Sequence, residues 1–222
     1  MKIDILTLFP TMFDGFIHES IIKRAIEKEK VEINIHNIRD YSKDPHKKVD
    51  DYAFGGGAGM VLMPQPIFDA VDNIKTSDST VILLTPQGQV YNQTLAYEFS
   101  HKSHIILICG HYEGFDERIR SLADIELSIG DFVLTGGEIP AMAICDSIVR
   151  LLDGVIAKES HVNDSFNNNL LDYPVYTHPK SFRGLEVPEV LLSGHHENIK
   201  KWRMEQQIIR TKERRPDILE KR

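Results

Sequence analysis

The sequence has little cysteine, no long apolar run and no excess of basic residues. Its 222 residues include two cysteines, Cys109 and Cys145, each in an apolar stretch, so we expect buried thiols in a reducing compartment and exclude a CxxC zinc site. No apolar run approaches the roughly 18 residues of a membrane span, and residues 1–4 lack the features of a signal peptide. We therefore expect a soluble cytoplasmic protein without a membrane partner.

Basic residues are outnumbered overall but concentrated at one end. The 33 acidic and 26 basic residues give a net charge of -7, which argues against non-specific coating of nucleic acid. Residues 195–222 nevertheless hold nine basic and five acidic residues, a surplus of +4, whereas residues 1–194 carry -11. This asymmetry indicates two parts with different tasks.

Strand and helix patterns alternate over residues 2–152. Alternating segments and short continuous apolar runs predict strands at 2–8, 31–38, 80–84, 104–109 and near 125–133. Helices are predicted at 19–29, 64–74, 92–101, 114–122 and 138–152. This order predicts an α/β layer fold whose buried strands suit a parallel sheet.

The pattern changes after Gly154. Residues 158–184 have little periodicity and are predicted to form a linker, whose length suggests a functional segment or a domain connection. Helices follow at 186–192 and 196–213, with Ile199, Trp202 and Ile209 expected on one face of the second. We therefore divide the chain into residues 1–157, the linker 158–184 and a helical part, 185–222.

Four glycine-bearing loops are candidates for ligand binding. Gly55–Gly59 matches neither a P-loop nor the dinucleotide fingerprint, and only modestly favours a functional loop over a flexible turn. Residues 85–88, 110–114 and 130–138 each follow a predicted strand, and parallel strands bring their carboxyl ends together. The three loops are therefore expected to converge on one ligand, although each glycine alone could simply make a tight turn.

Few side chains stand out as acids, bases or metal ligands. Glu113 lies in a glycine-flanked loop, Asp164 in the linker and Arg150 at the end of a helix. From chemistry alone, Asp164 is more easily explained as a solvated linker residue, and Arg150 as the i,i+4 partner of Asp146. The ten histidines show no metal-binding spacing.

Nine ordered segments resemble one known family. The sequence is similar to the TrmD family of bacterial tRNA (guanine-N1)-methyltransferases, in the SPOUT superfamily. The similar segments are LTLFPTMFDGF at 6–16, VDDYAFGGGAGMVL at 49–62, TPQG at 85–88, ICGHYEGFDERI at 108–119, IGDFVLTGGEIPAM at 129–142, DSF at 164–166, LLDYPVYTHP at 170–179, VPEVLLSGHH at 187–196 and the Trp-Arg to Arg-Arg-Pro-Asp pattern at 202–217.

The resemblance implies a fold, a methyl donor and a set of residues that bind it. It implies a SPOUT-type parallel sheet with a C-terminal deep trefoil knot in residues 1–157, which binds S-adenosylmethionine, and a small helical tRNA-binding domain in residues 185–222. The implied cofactor-binding residues are Leu84, Thr85, Pro86, Gln87, Gly88, Gly110, Tyr112, Glu113, Gly114, Ile129, Gly130, Asp131, Phe132, Val133, Leu134, Gly136 and Gly137.

The resemblance also implies a reaction. The methyl group would pass to N1 of guanine 37 of tRNA, beside the anticodon, with guanine preferred at position 36. Asp164 would be the general base, Arg150 would stabilise charge on guanine O6, and Glu113 would favour the positive sulfonium. The family further implies Mg²⁺, whose ligands the sequence leaves unknown.

The implied partners are tRNA, and not DNA, and a second copy of the chain. The active site would lie at the interface of a homodimer, with the linker flexible until substrates bind. The implied tRNA-binding residues are Gly59, Ser165, Lys200, Lys201, Arg203, Arg210, Arg214 and Arg215. This sequence departs from the family pattern at His111, where a basic residue is expected, at Phe132, where tyrosine is common, and in its early end at Arg222.

Two other function classes remain as alternatives. A knotted RNA-binding protein without catalysis would not need Asp164, Arg150 and all three loops. A phosphate-transferring enzyme built on Gly55–Gly59 would need a Walker lysine or paired metal-binding carboxylates, and the sequence shows neither.

Overall fold

The computed structural model describes residues 1–157, 164–166 and 168–220. The chain forms two compact units, Met1–Ile156 and Ala157–Arg222. Part of the predicted linker, residues 158–163 and 167, lies outside the described residues. Within the described ranges, no helix is both long and apolar enough to cross a membrane.

The first unit is built on a parallel sheet, which confirms the predicted α/β class. Its five strands are β1 (Lys2–Thr7), β2 (Glu32–Asn37), β5 (Ser79–Val90), β6 (His104–Cys109) and β7 (Ile125–Ser128). They are arranged in the order β2-β1-β6-β5-β7, and every neighbouring pair is parallel. Two short antiparallel strands, β3 (Asp50–Asp51) and β4 (Val61–Leu62), form a separate pair.

Helices cover both faces of the sheet because alternate residues of its strands point to opposite sides. Five α-helices belong to this unit: α1 (Asp14–Ile17), α2 (Ser20–Glu27), α3 (Pro64–Ile74), α4 (Gln93–Ser100) and α5 (Glu138–Val149). On one face of the sheet, Ile5 and Leu107 pack with residues of α2, α4 and α5. On the other face, Leu6 and Ile106 pack with residues of α3.

Three predicted segments have wrong boundaries. β5 runs on to Val90, because after a shift in register at residues 85–88 its backbone pairs again with Leu127 of β7. A Cβ on Gly88 would lie 2.5 Å from the backbone of Glu126, so only glycine fits at this crossing. The segment predicted as a helix at 114–122 is a 3-10 helix over Glu117–Leu122, and β7 ends at Ser128 rather than near 133.

The second unit contains one long helix and a hairpin. Its elements are β8 (Ser181–Phe182), β9 (Leu185–Glu186), α6 (Glu189–Leu192), α7 (His196–Arg214) and α8 (Asp217–Glu220). On α7, Ile199 and Trp202 are half-buried, whereas Ile209 is 44% exposed. Ile209 therefore does not belong to a buried apolar face, contrary to the expectation from spacing.

A buried carboxylate on β1 predicts a pH-dependent stability. Asp4 accepts hydrogen bonds from His36 Nε2 at 2.8 Å and His104 Nε2 at 2.6 Å, and Lys2 Nζ lies 3.0 Å from its carboxylate. Burial alone would raise the pKa of Asp4, but the bonds from His36, Lys2, His104 and Asn34 together hold it well below its ordinary value. A carboxyl whose pKa is depressed on folding stabilises the fold above about pH 4 and loses that contribution as the pH falls.

We expect Asp4→Ala to lower the free energy of unfolding at pH 7 by about 3 kcal/mol, because it leaves buried donors without an acceptor. The variant should also lose stability less steeply between about pH 4 and pH 2 than the wild type does. Urea titrations across this pH range measure both effects. Asp72→Ala, which removes an exposed carboxylate from α3, is the control and should change stability by less than about 0.5 kcal/mol. Equal effects of the two substitutions would contradict this role of Asp4.

Candidate cofactor pocket

Three strand-end loops of the first unit enclose a cavity of about 380 Å³. The loop at 84–87 lies in the irregular part of β5, the loop at 110–115 follows β6, and residues 128–137 connect β7 to α5. The loops meet because all three parent strands are parallel neighbours and end at the same edge of the sheet. The volume falls within the range typical of small-molecule sites.

Backbone contacts fix two of these loops against each other. The Gly137 N–H donates a hydrogen bond to the Gly110 carbonyl at 2.8 Å, and His111 forms a β-bridge with Gly136. A Cβ on Gly137 would lie 2.7 Å from the Cα of Cys109, so the glycine permits this close approach. The wall of the cavity is therefore set by main-chain packing.

Arg120 connects the β5 loop to neighbouring segments, and no sequence pattern singles it out. Its guanidinium donates to Gln87 Oε1 at 2.6 Å and to Glu117 Oε2 at 2.9 Å, and it also bonds Glu126. It lies over the Phe115 ring, 5.2 Å from the centroid. The role of Arg120 could not be predicted from the sequence, because Gln87 is 33 positions away and only folding brings the two side chains together.

Most of the predicted cofactor-binding residues line this one cavity. The exceptions are Gly88, which serves the β5–β7 crossing, and Asp131, whose exposed side chain does not line the wall. The lining residues that the sequence did not single out for this role are His111, Phe115, Glu117, Arg120, Ser128, Thr135 and Pro140.

His111 has an unusual environment within this wall. Its Nδ1 atom is buried and has no hydrogen-bond partner among the described residues. The ring packs against Phe9, with centroids 4.8 Å apart, and edge-on against Tyr112 at 5.0 Å. A buried polar atom of this kind ordinarily has a hydrogen-bond partner, so a molecule bound in the cavity could supply one to His111 Nδ1.

Comparisons with known proteins agree with this geometry. A family model described as tRNA (Guanine-1)-methyltransferase TrmD matches residues 1–221. The chain belongs to this family. Proteins named tRNA (guanine-N(1)-)-methyltransferase are 59% identical in Halalkalibacterium halodurans and in Ureaplasma urealyticum serovar 10, and 56% identical in Staphylococcus carnosus. Each alignment covers 100% of this chain, and 92%, 97% and 91% of the respective relatives.

Arg150 of this TrmD-family chain lies in the first unit but outside the cavity that the three loops form. It follows α5, and its N–H donates to the Asp146 carbonyl at 3.1 Å. A second cavity, of about 360 Å³, is lined by Arg150 and Asp146 together with Glu19 and residues 20–22 of α2. The structure thus separates Arg150 from the residues predicted to bind the methyl donor.

Asp164 lies in the second unit, in a segment with its own local structure. Beside it, Ser165 Oγ accepts a hydrogen bond from the Asp172 N–H at 3.0 Å, and the Phe166 N–H donates to the Leu170 carbonyl at 2.8 Å. These bonds form a turn that fixes the backbone immediately after Asp164.

The basic residues predicted to bind tRNA differ in their surroundings. Arg203 lies over the Tyr173 ring at 4.6 Å from the centroid, and Arg215 pairs with Asp217 at 2.8 Å. Both guanidinium groups therefore have partners within the second unit. Of the others in this set, Lys200, Lys201 and Arg214 are exposed and Arg210 is half-buried. Gly59 lies in the first unit, where a Cβ at this position would clash with the Glu113 side chain.

Proposed function

We propose that this chain transfers the methyl group of S-adenosylmethionine to N1 of guanine 37 in tRNA. The observation that carries the proposal is the single cavity formed by three glycine-bearing strand ends, in a chain that belongs to the TrmD family. The relatives named tRNA (guanine-N(1)-)-methyltransferase match the whole chain, which supports both the tRNA substrate and the N1 position.

The cavity suits the methyl donor chemically. Its apolar lining, including Leu84, Ile129 and Val133, can pack against an adenine ring, and the glycine loops expose backbone groups to its polar edge. Glu113 also lines the cavity, and its negative charge can favour the positive sulfonium of the donor. The pocket thus offers both kinds of contact that S-adenosylmethionine requires.

We assign the proton transfer to Asp164 and the electrostatic stabilisation to Arg150. The Asp164 carboxylate takes the proton from guanine N1, the freed electron pair attacks the methyl carbon, and the carbon–sulfur bond breaks to release S-adenosylhomocysteine. Negative charge that builds on guanine O6 is stabilised by the Arg150 guanidinium. The target base has to leave its stack to be reached, at a cost of a few kcal/mol.

We further propose the arrangement typical of this family around that chemistry. Residues 1–157 form a SPOUT-type trefoil-knot domain, residues 158–184 a linker that carries Asp164, and residues 185–222 an arm that holds tRNA. Two copies form a homodimer whose active sites each combine Arg150 of one copy with Asp164 of the other. Exposed cations such as Lys200, Lys201 and Arg214 then position the RNA backbone, while base contacts provide the specificity.

Mg²⁺, which the family implies, has no evident site in the part of the chain that is described. No group of three or more His, Cys, Asp or Glu side chains that could hold a metal ion occurs among those residues. We therefore derive no step of the reaction through the metal.

The proposal is tested by methyl transfer to a tRNA transcript with guanine at positions 36 and 37. We expect N1-methylguanine at position 37, identified by mass spectrometry of the digested product, and no product when position 37 is adenine. Calorimetry should show binding of S-adenosylmethionine and none of ATP. Binding of ATP alone, or modification of another position, would refute the proposal.

A further inference from the structure

The most exposed aromatic side chain of the first unit lies in the glycine-rich loop between β3 and β4. Phe54 is fully exposed, and Tyr52 is 78% exposed. Because the Phe54 ring is in water, it contributes no hydrophobic stabilisation to this fold. We propose that Phe54 stacks on a base of the bound tRNA that neighbours the target guanine, an inference that rests on the proposed tRNA substrate.

The first argument is position, because the C-terminal end of this loop is fixed to the rim of the candidate cofactor pocket, and β3, at its start, pairs with β4. The Leu62 N–H of β4 donates to the Gly114 carbonyl at 3.0 Å, and the Asp116 N–H donates to the Leu62 carbonyl at 2.9 Å. The Glu113 N–H donates to the Met60 carbonyl at 3.0 Å. The loop that carries Phe54 therefore ends beside the cavity in which the methyl donor is proposed to bind.

The second argument is the space beside the ring. Gly55, Gly56 and Gly57 have φ angles of +88°, +83° and +125°, and a Cβ on any of them would meet no atom within 4 Å. Packing within this unit therefore does not explain the glycines. Glycine permits the positive φ angles of the backbone after Phe54. Because these residues have no side chains, a flat group can approach the Phe54 ring from this side.

The third argument is charge. The lysines before the loop are paired with acids, Lys47 with Asp40 at 2.7 Å and Lys48 with Asp51 at 3.0 Å. The positive charges of these two lysines are therefore already balanced by carboxylates and do not favour binding of an RNA phosphate. What the loop offers is an aromatic face, and aromatic rings recognise unstacked RNA bases by stacking.

Kinetics with the full-length protein and a tRNA transcript test this assignment. We expect Phe54→Ala to raise KM for tRNA by roughly 5- to 150-fold, the range of one lost base–aromatic stack, with the affinity for S-adenosylmethionine unchanged. Phe54→Trp should restore KM, whereas Phe54→Leu, which keeps apolar bulk without the aromatic face, should resemble Phe54→Ala. Tyr97→Ala removes another exposed ring, on α4, and is the control that should behave as the wild type does.

A direct readout uses the single tryptophan of the sequence, Trp202. In a Trp202→Phe background, Phe54→Trp places the sole indole in the loop, and tRNA should quench its fluorescence. Unchanged KM in Phe54→Ala, or restoration by Phe54→Leu, would overturn the proposal. So would dissociation of a dimer by Phe54→Ala in sedimentation experiments, because the ring would then contact a second copy. Since wild-type methyl transfer is measured in the same series, failure of the function itself is recognised separately.

Discussion

Asp164→Asn is expected to abolish most methyl transfer while leaving the methyl donor bound. Asparagine has nearly the shape of aspartate but does not accept the proton from guanine N1. We expect kcat to fall by about 10² to 10⁴-fold, the usual contribution of a general base. Because the cavity proposed for S-adenosylmethionine is lined by residues of the first unit, the affinity for this donor should stay the same. Single-turnover assays and calorimetry measure the two quantities.

Asp164→Glu is the matched control for this experiment. It keeps a carboxylate but moves it by one methylene, so we expect activity between that of the wild type and that of Asp164→Asn. Thermal unfolding of both variants should match the wild type. An asparagine variant as active as the glutamate variant would show that no proton is transferred to this side chain.

Arg150→Ala is expected to have the second largest effect. Removing the cation that we propose stabilises the developing charge on guanine O6 should lower kcat by about 10² to 10³-fold. Arg150 lines the cavity beside α2 rather than the cofactor cavity, so binding of S-adenosylmethionine should again be unaffected. The kcat and the cofactor affinity of the purified variant together test this assignment.

Arg150→Lys distinguishes charge from geometry. Lysine keeps the positive charge but lacks the planar fork of the guanidinium, so we expect an activity between those of the alanine variant and the wild type. A second test concerns the proposed dimer: mixing Arg150→Ala with Asp164→Asn should partly restore activity, because mixed dimers would contain one intact site. No recovery on mixing would argue against a shared site.

The sequence predicts strands best where a strand is buried on both faces. The run over His104–Cys109 is continuously apolar, and β6 has those bounds. The apolar run that predicts β5 ends at residue 84. The continuation of β5 depends on the backbone of β7, a partner more than 35 positions away, which no local pattern reveals.

Most of the lining of the candidate cofactor pocket was also predictable from the sequence, but the contacts of Arg120 were not. The glycine loops follow their strands in the sequence, and the parallel sheet brings them together as expected. Arg120 could not be found in this way, because its contacts with Gln87 and Glu126 exist only after folding. Individual roles for Asp164 and Arg150 came from the resemblance to a family, since their local surroundings are equally typical of an ordinary linker and helix end.

The position of β1 in the sheet has a consequence for how the chain is made. β1 lies between β2 and β6, and Lys2 pairs with both Glu32 and His104. During synthesis from the N-terminus, β1 can pair on one side early but has an unpaired edge until about a hundred more residues have emerged. Such non-local pairing slows folding, and an open apolar edge invites aggregation. The nascent chain is therefore most vulnerable before β6 leaves the ribosome.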